Sequence, residues 1–402
     1  MNTPLQTARH GGRVFLTGGT GFLGALMAAQ MLSDGWADHL VLPSRREVET
    51  GSIPEEVQRE LFALGKNPDD VAGQITTVHW QGAETATVEL LENTLRAGKV
   101  DTIVHCAGCL DYFDNDALQA MNVDFTERLT IAAKRAGVSF FIFVSTAYSA
   151  GYSGAPVPET ALSEPPKAPT NYTLTKRAAE RVVAECGIPF LVARPSIVIG
   201  SSVDGRYSGK RYGLYQQWMG IERLLSDRHH AELHTVATDQ ALNLLHQDVF
   251  QASIASIFRW VPAGEYVNLV VDDQTSPSMR DLWRVFCEVT RPNTVIFYDS
   301  LQDVDLKAIN IRQRGYLTFA QTNLEIGAYP WAFDRQWLRT LREHGLHFTE
   351  TTMETLKVCQ DRFVRSSQPI QRYLERFAAD LPARTEFRHH LDTLDLAANE
   401  HA

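Results

Sequence analysis

The chain has 402 residues, 44% of them apolar and 21% charged, with ordinary glycine and proline counts (26 and 17). That composition suits a globular protein with one large and one smaller domain, and it excludes fibrous and low-complexity classes. The formal net charge of −10 argues against general nucleic-acid binding, which needs a basic face, but leaves room for a local basic patch.

Residues 1–13 are polar and carry no apolar run after a basic start, so no signal peptide is expected. Residues 13–17 (Arg-Val-Phe-Leu-Thr) read as a short buried strand. The turn Gly18-Gly19-Thr20-Gly21-Phe22-Leu23-Gly24 follows at once, and residues 22–32 repeat apolar side chains at helical spacing. Strand, tight glycine turn and helix together make a dinucleotide site. The glycines let the backbone approach a pyrophosphate, which sits on the free N–H groups at the helix N-terminus. Gly18, Thr20, Gly21, Phe22, Leu23 and Gly24 are the expected contacts.

A second strand over 39–42 runs into Pro43-Ser44-Arg45-Arg46. An NAD enzyme would place an acidic residue there for the ribose hydroxyls. Ser44, Arg45 and Arg46 instead suit a 2′-phosphate, so NADP(H) is the expected cofactor.

A helix is expected over 55–64, a third strand over 75–80 and a fourth over 102–105. Cys106 and Cys109 spell C-x-x-C. They follow a strand, however, not the helix N-terminus that would lower a thiol pKa, and the five cysteines form no disulfide framework. Further on come a helix over 118–135, a strand over 140–144, a helix over 172–185 and a strand over 190–193. The apolar stretch at 140–144 is far too short to span a bilayer, so no transmembrane segment and a cytoplasmic location are expected. Nearly all-apolar strands alternating with helices predict an α/β fold, a doubly wound parallel sheet of the Rossmann kind. Ligands then bind beyond the carboxyl ends of the strands.

The chemistry falls at one of those ends and on the helix that follows it. Ser145 and Thr146 close the 140–144 strand, where a hydroxyl can stabilise charge growing on a substrate oxygen. Tyr172 and Lys176 lie four apart on the next helix and so share a face. The lysine ammonium is expected to lower the tyrosine pKa, and the tyrosine to exchange a proton with a carbonyl or alkoxide oxygen.

The pattern weakens after about Gly200. The boundary is read at 204, giving an NADP-binding domain over 10–204 with a return segment near 240–270. A mostly helical, substrate-binding region over 205–402 is expected to close over the sheet. In it Arg206, Lys210 and Arg211 form a basic loop suited to phosphates or to an acidic partner. His229, His230 and His234 lack acidic or cysteine neighbours that would complete a metal set, so no metal is expected. Trp331, Trp337 and Phe348 read as core.

The glycine turn, His105-Cys106-Ala107-Gly108, Asn122-Val123-Asp124, the Ser-Thr segment and Tyr-x-x-x-Lys, in this order, resemble the extended short-chain dehydrogenase/reductase superfamily over about 13–200. Val144-Ser145-Thr146-Ala147-Tyr148 and Arg194-Pro195-Ser196-Ile197-Val198 narrow the resemblance to the fatty acyl-CoA reductase (male sterility) and thioester reductase group. The resemblance implies NADPH-dependent reduction of an acyl thioester, on coenzyme A or an acyl carrier protein, to an aldehyde or on to an alcohol. It makes Tyr172 the proton donor, Lys176 its partner and a holder of the nicotinamide ribose, and Thr146 the hydroxyl donor, with Ser145 as the fallback. Arg45 or Arg46 would hold the 2′-phosphate. Ala107 and Gly108 would line one side of the nicotinamide, Pro195 and Ser196 the other. One departure stands out: Gln81-Gly82-Ala83 has alanine where the family often places an adenine-binding aspartate. The rival readings are an extended reductase or epimerase acting on a ketone, sterol or sugar nucleotide, and a non-catalytic NADP sensor.

Overall fold

The computed structural model describes residue 5 and residues 7–46, 52–82, 85–210, 213–225 and 232–392. The chain forms two compact units. The first comprises Met1–Ser196, Asp248–Val270 and Phe333–Phe348; the second comprises Ile197–Gln247, Val271–Ala332 and Thr349–Ala402.

The first unit begins with β1 (Gly12–Thr17), α1 (Phe22–Ser33), β2 (Ala37–Ser44) and α2 (Glu55–Ala63). It continues with β3 (Ile75–His79), α3 (Val88–Ala97) and β4 (Thr102–His105). A short helix α4 (Asn115–Leu118) passes through a π-helical turn (Gln119–Asp124) into α5 (Phe125–Ala136). Then come β5 (Phe140–Val144), α6 (Asn171–Glu185) and β6 (Phe190–Pro195). A seventh strand, Glu265–Leu269, returns beside β6.

All seven strands are parallel, in the order β3-β2-β1-β4-β5-β6 and then Glu265–Leu269. The order reverses between β1 and β4. β4 and β5 are buried along their whole length, as strands covered on both faces must be. Phe15, Ile103, Phe141, Phe143 and Val192 lie in one buried cluster with Phe125 and Leu129 of α5 and Ala179 and Val183 of α6.

Two features depart from the sequence reading. The helix expected over 118–135 is not uniform: its first turns widen to π geometry around Asn122, whose side chain bonds outside the helix. Segment 333–348, read as part of the C-terminal region, belongs to the first unit. The reason is the buried Glu159, whose carboxylate accepts the backbone N–H of Asn268 (3.0 Å) on the seventh strand and of Trp337 (2.9 Å) in helix Gln336–Glu343. Burial pushes the Glu159 carboxyl up to about 8, against the pull of those N–H donors.

The second unit holds a parallel three-stranded sheet (Glu386–His389, Thr294–Tyr298, Glu232–Val236) and a parallel pair (Ile197–Ile199, Leu244–His246). Its core gathers Trp218, Trp283, Phe286, Tyr316 and Phe363. Trp331 is buried in this unit, and Trp337 and Phe348 in the first. No helix among the described residues is long and apolar enough to cross a membrane.

Candidate active site

The glycine turn lies where the strand order reverses. Gly18 has φ +73°, a conformation costly for any side chain, and a Cβ there would meet Ala107 N at 2.9 Å. A Cβ on Gly24 would sit 2.0 Å from Gly18 O, so only glycine lets α1 pack this close to the turn. Gly21 caps α1 without a side-chain bond, and the first turn of α1 holds no acidic residue. Gly21 is exposed, and Thr20, Phe22 and Leu23 are half-buried. An uncapped helix N-terminus behind a glycine-rich turn fits a pyrophosphate.

At the end of β2, Ser44 is buried and bonds the Arg46 backbone through its hydroxyl (2.9 and 3.2 Å). Arg46 pairs with Glu56 of α2, and that pairing raises its pKa. Arg45 is exposed and makes no ion pair among the described residues. The two arginines are therefore not equivalent.

At the end of β5 the two hydroxyls divide. Ser145 donates to Glu180 of α6, which also accepts from Ser149 (3.0 Å) and from Arg194 (2.7 and 3.1 Å). The Ser145 proton is thus held inside a buried network. Thr146 is 8% exposed, and its hydroxyl accepts only a long bond from Tyr148 N (3.4 Å). No acceptor for its proton is found among the described residues.

Tyr172 and Lys176 share a face of α6, which Thr170 starts with a capping box. Lys176 is buried. It donates to Val144 O (2.7 Å) and lies 4.1 Å from the centre of the Phe143 ring. Burial lowers its pKa to about 8, although Cys106 and Glu180 favour the charged form. Tyr172 is raised above the ordinary tyrosine value, first by burial of its hydroxyl, then by Tyr112 and Cys106. The expected lowering of the tyrosine by Lys176 is thus not found. The ammonium is engaged by the β5 carbonyl, and the phenol sits beside Tyr112, whose ring is 5.8 Å away.

Asn122, on the π turn, was quoted in the sequence motif without a role. Its Oδ1 accepts Cys109 N (2.8 Å), and its Nδ2 donates to Thr175 Oγ1 (2.9 Å), so it joins the loop after β4 to α6. A polar residue on the inner side of an apolar helix was the available signal. Ala107 is half-buried and Gly108 exposed; a Cβ on Gly108 would strike Asn122 Oδ1 at 2.9 Å. Pro195 ends β6, and the buried Ser196 Oγ has no hydrogen-bond partner among the described residues. That orphan hydroxyl fits a polar group of a bound nicotinamide. Burial pushes the Cys106 thiol up to about 11, so it is a poor redox nucleophile.

Arg206 and Lys210 lie in the second unit. The Arg206 guanidinium donates to Ser208 Oγ (2.6 Å) within its own loop, whereas Lys210 is exposed. Arg211, His229, His230 and Ala83 lie outside the described residues. His234 contacts Tyr298 (2.9 Å) and Glu232 (3.0 Å).

The parallel sheet, the glycine turn at its reversal point and the residues ending β5 and starting α6 define an NAD(P)-binding oxidoreductase of the extended short-chain dehydrogenase/reductase type. More narrowly, the family model described as male sterility protein matches residues 16–250, and the chain belongs to that family. It is 30% identical over 211 residues, 48% of its length, to the glycine betaine reductase ATRR of Emericella nidulans, and covers 16% of that protein. Across three curated relatives the matched part spans 5% to 51% of their own length. Among solved structures, the terminal R domain of the myxalamid PKS-NRPS pathway aligns with TM-score 0.69 and 19% identity, over 90% of this chain and 92% of that one. A thiolation-reductase di-domain of an archaeal non-ribosomal peptide synthetase aligns with TM-score 0.62 and 16% identity, over 94% and 92%.

Proposed function

We infer that the chain reduces an acyl thioester, carried on coenzyme A or on an acyl carrier protein, with NADPH. The observation that carries the reading is the buried Lys176 beside Tyr172, at the strand ends that also hold the glycine turn. The thioester part of the reading is supported by the sequence motifs and by the relatives, which include a polyketide synthase-nonribosomal peptide synthetase, the terminal R domain of a PKS-NRPS pathway and a thiolation-reductase di-domain of a non-ribosomal peptide synthetase.

The residues fit the cofactor. Gly18, Thr20, Gly21, Phe22, Leu23 and Gly24 would hold the pyrophosphate; Arg45 the 2′-phosphate; Lys176 the nicotinamide ribose; Ala107, Gly108, Pro195 and Ser196 the nicotinamide ring. When bound, NADPH supplies a hydride. Thr146 Oγ and Tyr172 Oη would donate to the thioester oxygen as charge grows on it, and Tyr172 would release its proton to that oxygen. The raised pKa of Tyr172 keeps it protonated and ready to donate. The hemithioacetal so formed breaks its C–S bond to an aldehyde and a thiol. A second round would yield an alcohol. Lys210, exposed in its loop, would meet a phosphate or an acidic carrier surface.

The test is NADPH consumption against acyl-CoA, acyl-carrier-protein, ketone, sterol and sugar-nucleotide substrates, with products identified by mass. Turnover of thioesters is expected. Turnover confined to ketones, sterols or sugar nucleotides would replace this reading with the broader extended-reductase one, and turnover of none with the sensor reading.

A second expected result separates the arginines. Arg45→Ala should weaken NADPH binding about tenfold or more and leave NADH binding nearly unchanged, because the lost partner is a phosphate. Arg46→Ala should cost less, since Arg46 already serves Glu56. Equal losses for NADPH and NADH in Arg45→Ala would remove the arginine from the phosphate site.

A further inference from the structure

His105, at the end of β4, is completely buried and holds both ring nitrogens in hydrogen bonds. Thr126 Oγ1 gives its single proton to Asn122 O (2.7 Å), so toward His105 it can only accept. His105 Nε2 (2.9 Å) therefore carries the ring proton. Nδ1 is then a bare acceptor, and Thr17 Oγ1 donates to it (2.6 Å). The lone pairs of Thr17 Oγ1 accept the backbone N–H groups of Cys106 (3.2 Å) and Ala107 (3.1 Å). A second ring proton would face the Thr17 hydroxyl with no acceptor, so the geometry itself selects neutral imidazole. Burial and Lys176 act the same way, holding the ring well below the ordinary histidine pKa.

The bonds continue in both directions. Thr17 is the residue before Gly18, so one arm of the ring ends on the glycine turn. The other runs through Thr126 to Asn122, from Asn122 Nδ2 to Thr175 Oγ1 (2.9 Å), and from Thr175 Oγ1 to Tyr172 O (2.9 Å). No other ring in this set of bonds reaches both sides. The rings of Phe125, Phe141 and Phe143 surround it at 5.4–6.2 Å between centroids, leaving little freedom to tilt.

We propose that His105 is a positioning residue for the reaction: as a neutral Nε2–H imidazole it sets the spacing between the dinucleotide turn at the end of β1 and the helix that carries Tyr172. It touches no reacting atom. It acts through Thr17 on the cofactor side and through Thr126, Asn122 and Thr175 on the proton-donor side. This rests on the NADPH-reductase reading only where turnover is measured; the cofactor arm stands on binding alone.

Two variants separate the arms. The amide oxygen of asparagine reaches the place of Nδ1, and the amide nitrogen of glutamine the place of Nε2. His105→Gln therefore keeps the Thr126 arm and loses the Thr17 arm; His105→Asn does the reverse. The NADPH dissociation constant, read by nucleotide fluorescence without substrate, should rise about tenfold in His105→Gln and much less in His105→Asn. At saturating NADPH, kcat on the turned-over substrate should fall about tenfold in His105→Asn and much less in His105→Gln. Thr17→Val and Thr126→Val cut the same arms from the other side and should reproduce this split if the histidine variants fold poorly. Equal changes in dissociation constant and kcat across the two arms would overturn the proposal, as would lower melting temperatures with both quantities unchanged. A protein that turns over no thioester but shows the binding split would refute the substrate reading and keep the cofactor arm.

Discussion

Tyr172→Phe is expected to lower turnover roughly a hundred- to ten-thousandfold, the usual contribution of a positioned proton donor, with NADPH affinity close to that of the parent. The variant keeps the ring that packs beside Tyr112 and loses only the hydroxyl. The pH profile of the parent follows from the neighbouring lysine. With Lys176 near 8, its ammonium is present below that pH and is lost as pH rises through it. If the ammonium is needed at the ribose and the phenol, kcat/KM should fall above about pH 8. In Lys176→Arg, which stays charged, that falling limb should disappear even though the shape of the head group lowers the maximum rate. Steady-state kinetics from pH 6 to 10 and nucleotide titration measure both. Full activity in Tyr172→Phe would refute the mechanism.

The second large effect is on stability. Arg194 and Glu180 form an ion pair at 2.7 Å with both side chains almost completely buried. Arg194 also donates to Pro158 O (3.1 Å) and Thr160 O (2.9 Å) and lies over the Tyr266 ring at 4.6 Å. It therefore ties β6, α6, the seventh strand and the loop before α6 together. Arg194→Ala removes all of these and leaves the Glu180 carboxylate hydrogen-bonded to the Ser145 and Ser149 hydroxyls, with Lys176 and Arg177 as its remaining charged neighbours among the described residues. A buried charge stripped of its partner costs about 3–5 kcal/mol. The chemical-denaturation midpoint should drop accordingly. Adding Glu180→Leu should recover part of the loss, since the orphaned charge then goes too. An unchanged midpoint in the single variant would show that this network does not hold the unit together. The Arg-Pro-Ser segment thus contributes its arginine to structure, while the buried Ser196 hydroxyl has no hydrogen-bond partner among the described residues.

Much of the site was legible because its encoding is local. Glycines three apart after an apolar strand force a turn that only glycine can make. A tyrosine four residues before a lysine shares its helix face whatever the rest of the chain does. Strands with no polar alternation announce a sheet buried on both sides. These signals need no distant partner. The strand Glu265–Leu269 was harder to see, since it pairs with β6 some seventy residues earlier and carries a buried asparagine and tyrosine rather than a pure apolar run.

By itself, then, the sequence determined a glycine turn between strand and helix, a parallel sheet, and the placing of Thr146 after β5 and of Tyr172 and Lys176 on one face of α6. The tertiary structure decided which of two adjacent hydroxyls is available, because Ser145 answers to a carboxylate 35 residues away. It decided that Arg46 is tied to α2 while Arg45 is not. It gave His105 and Asn122 their partners, 88 and 53 residues distant, and so placed two motif letters in hydrogen bonds to the residue before the glycine turn and to the helix that carries Tyr172. It also reversed the expected shift of Tyr172, since a pKa depends on burial and on every neighbour in space, whereas a spacing of four reports only one of them.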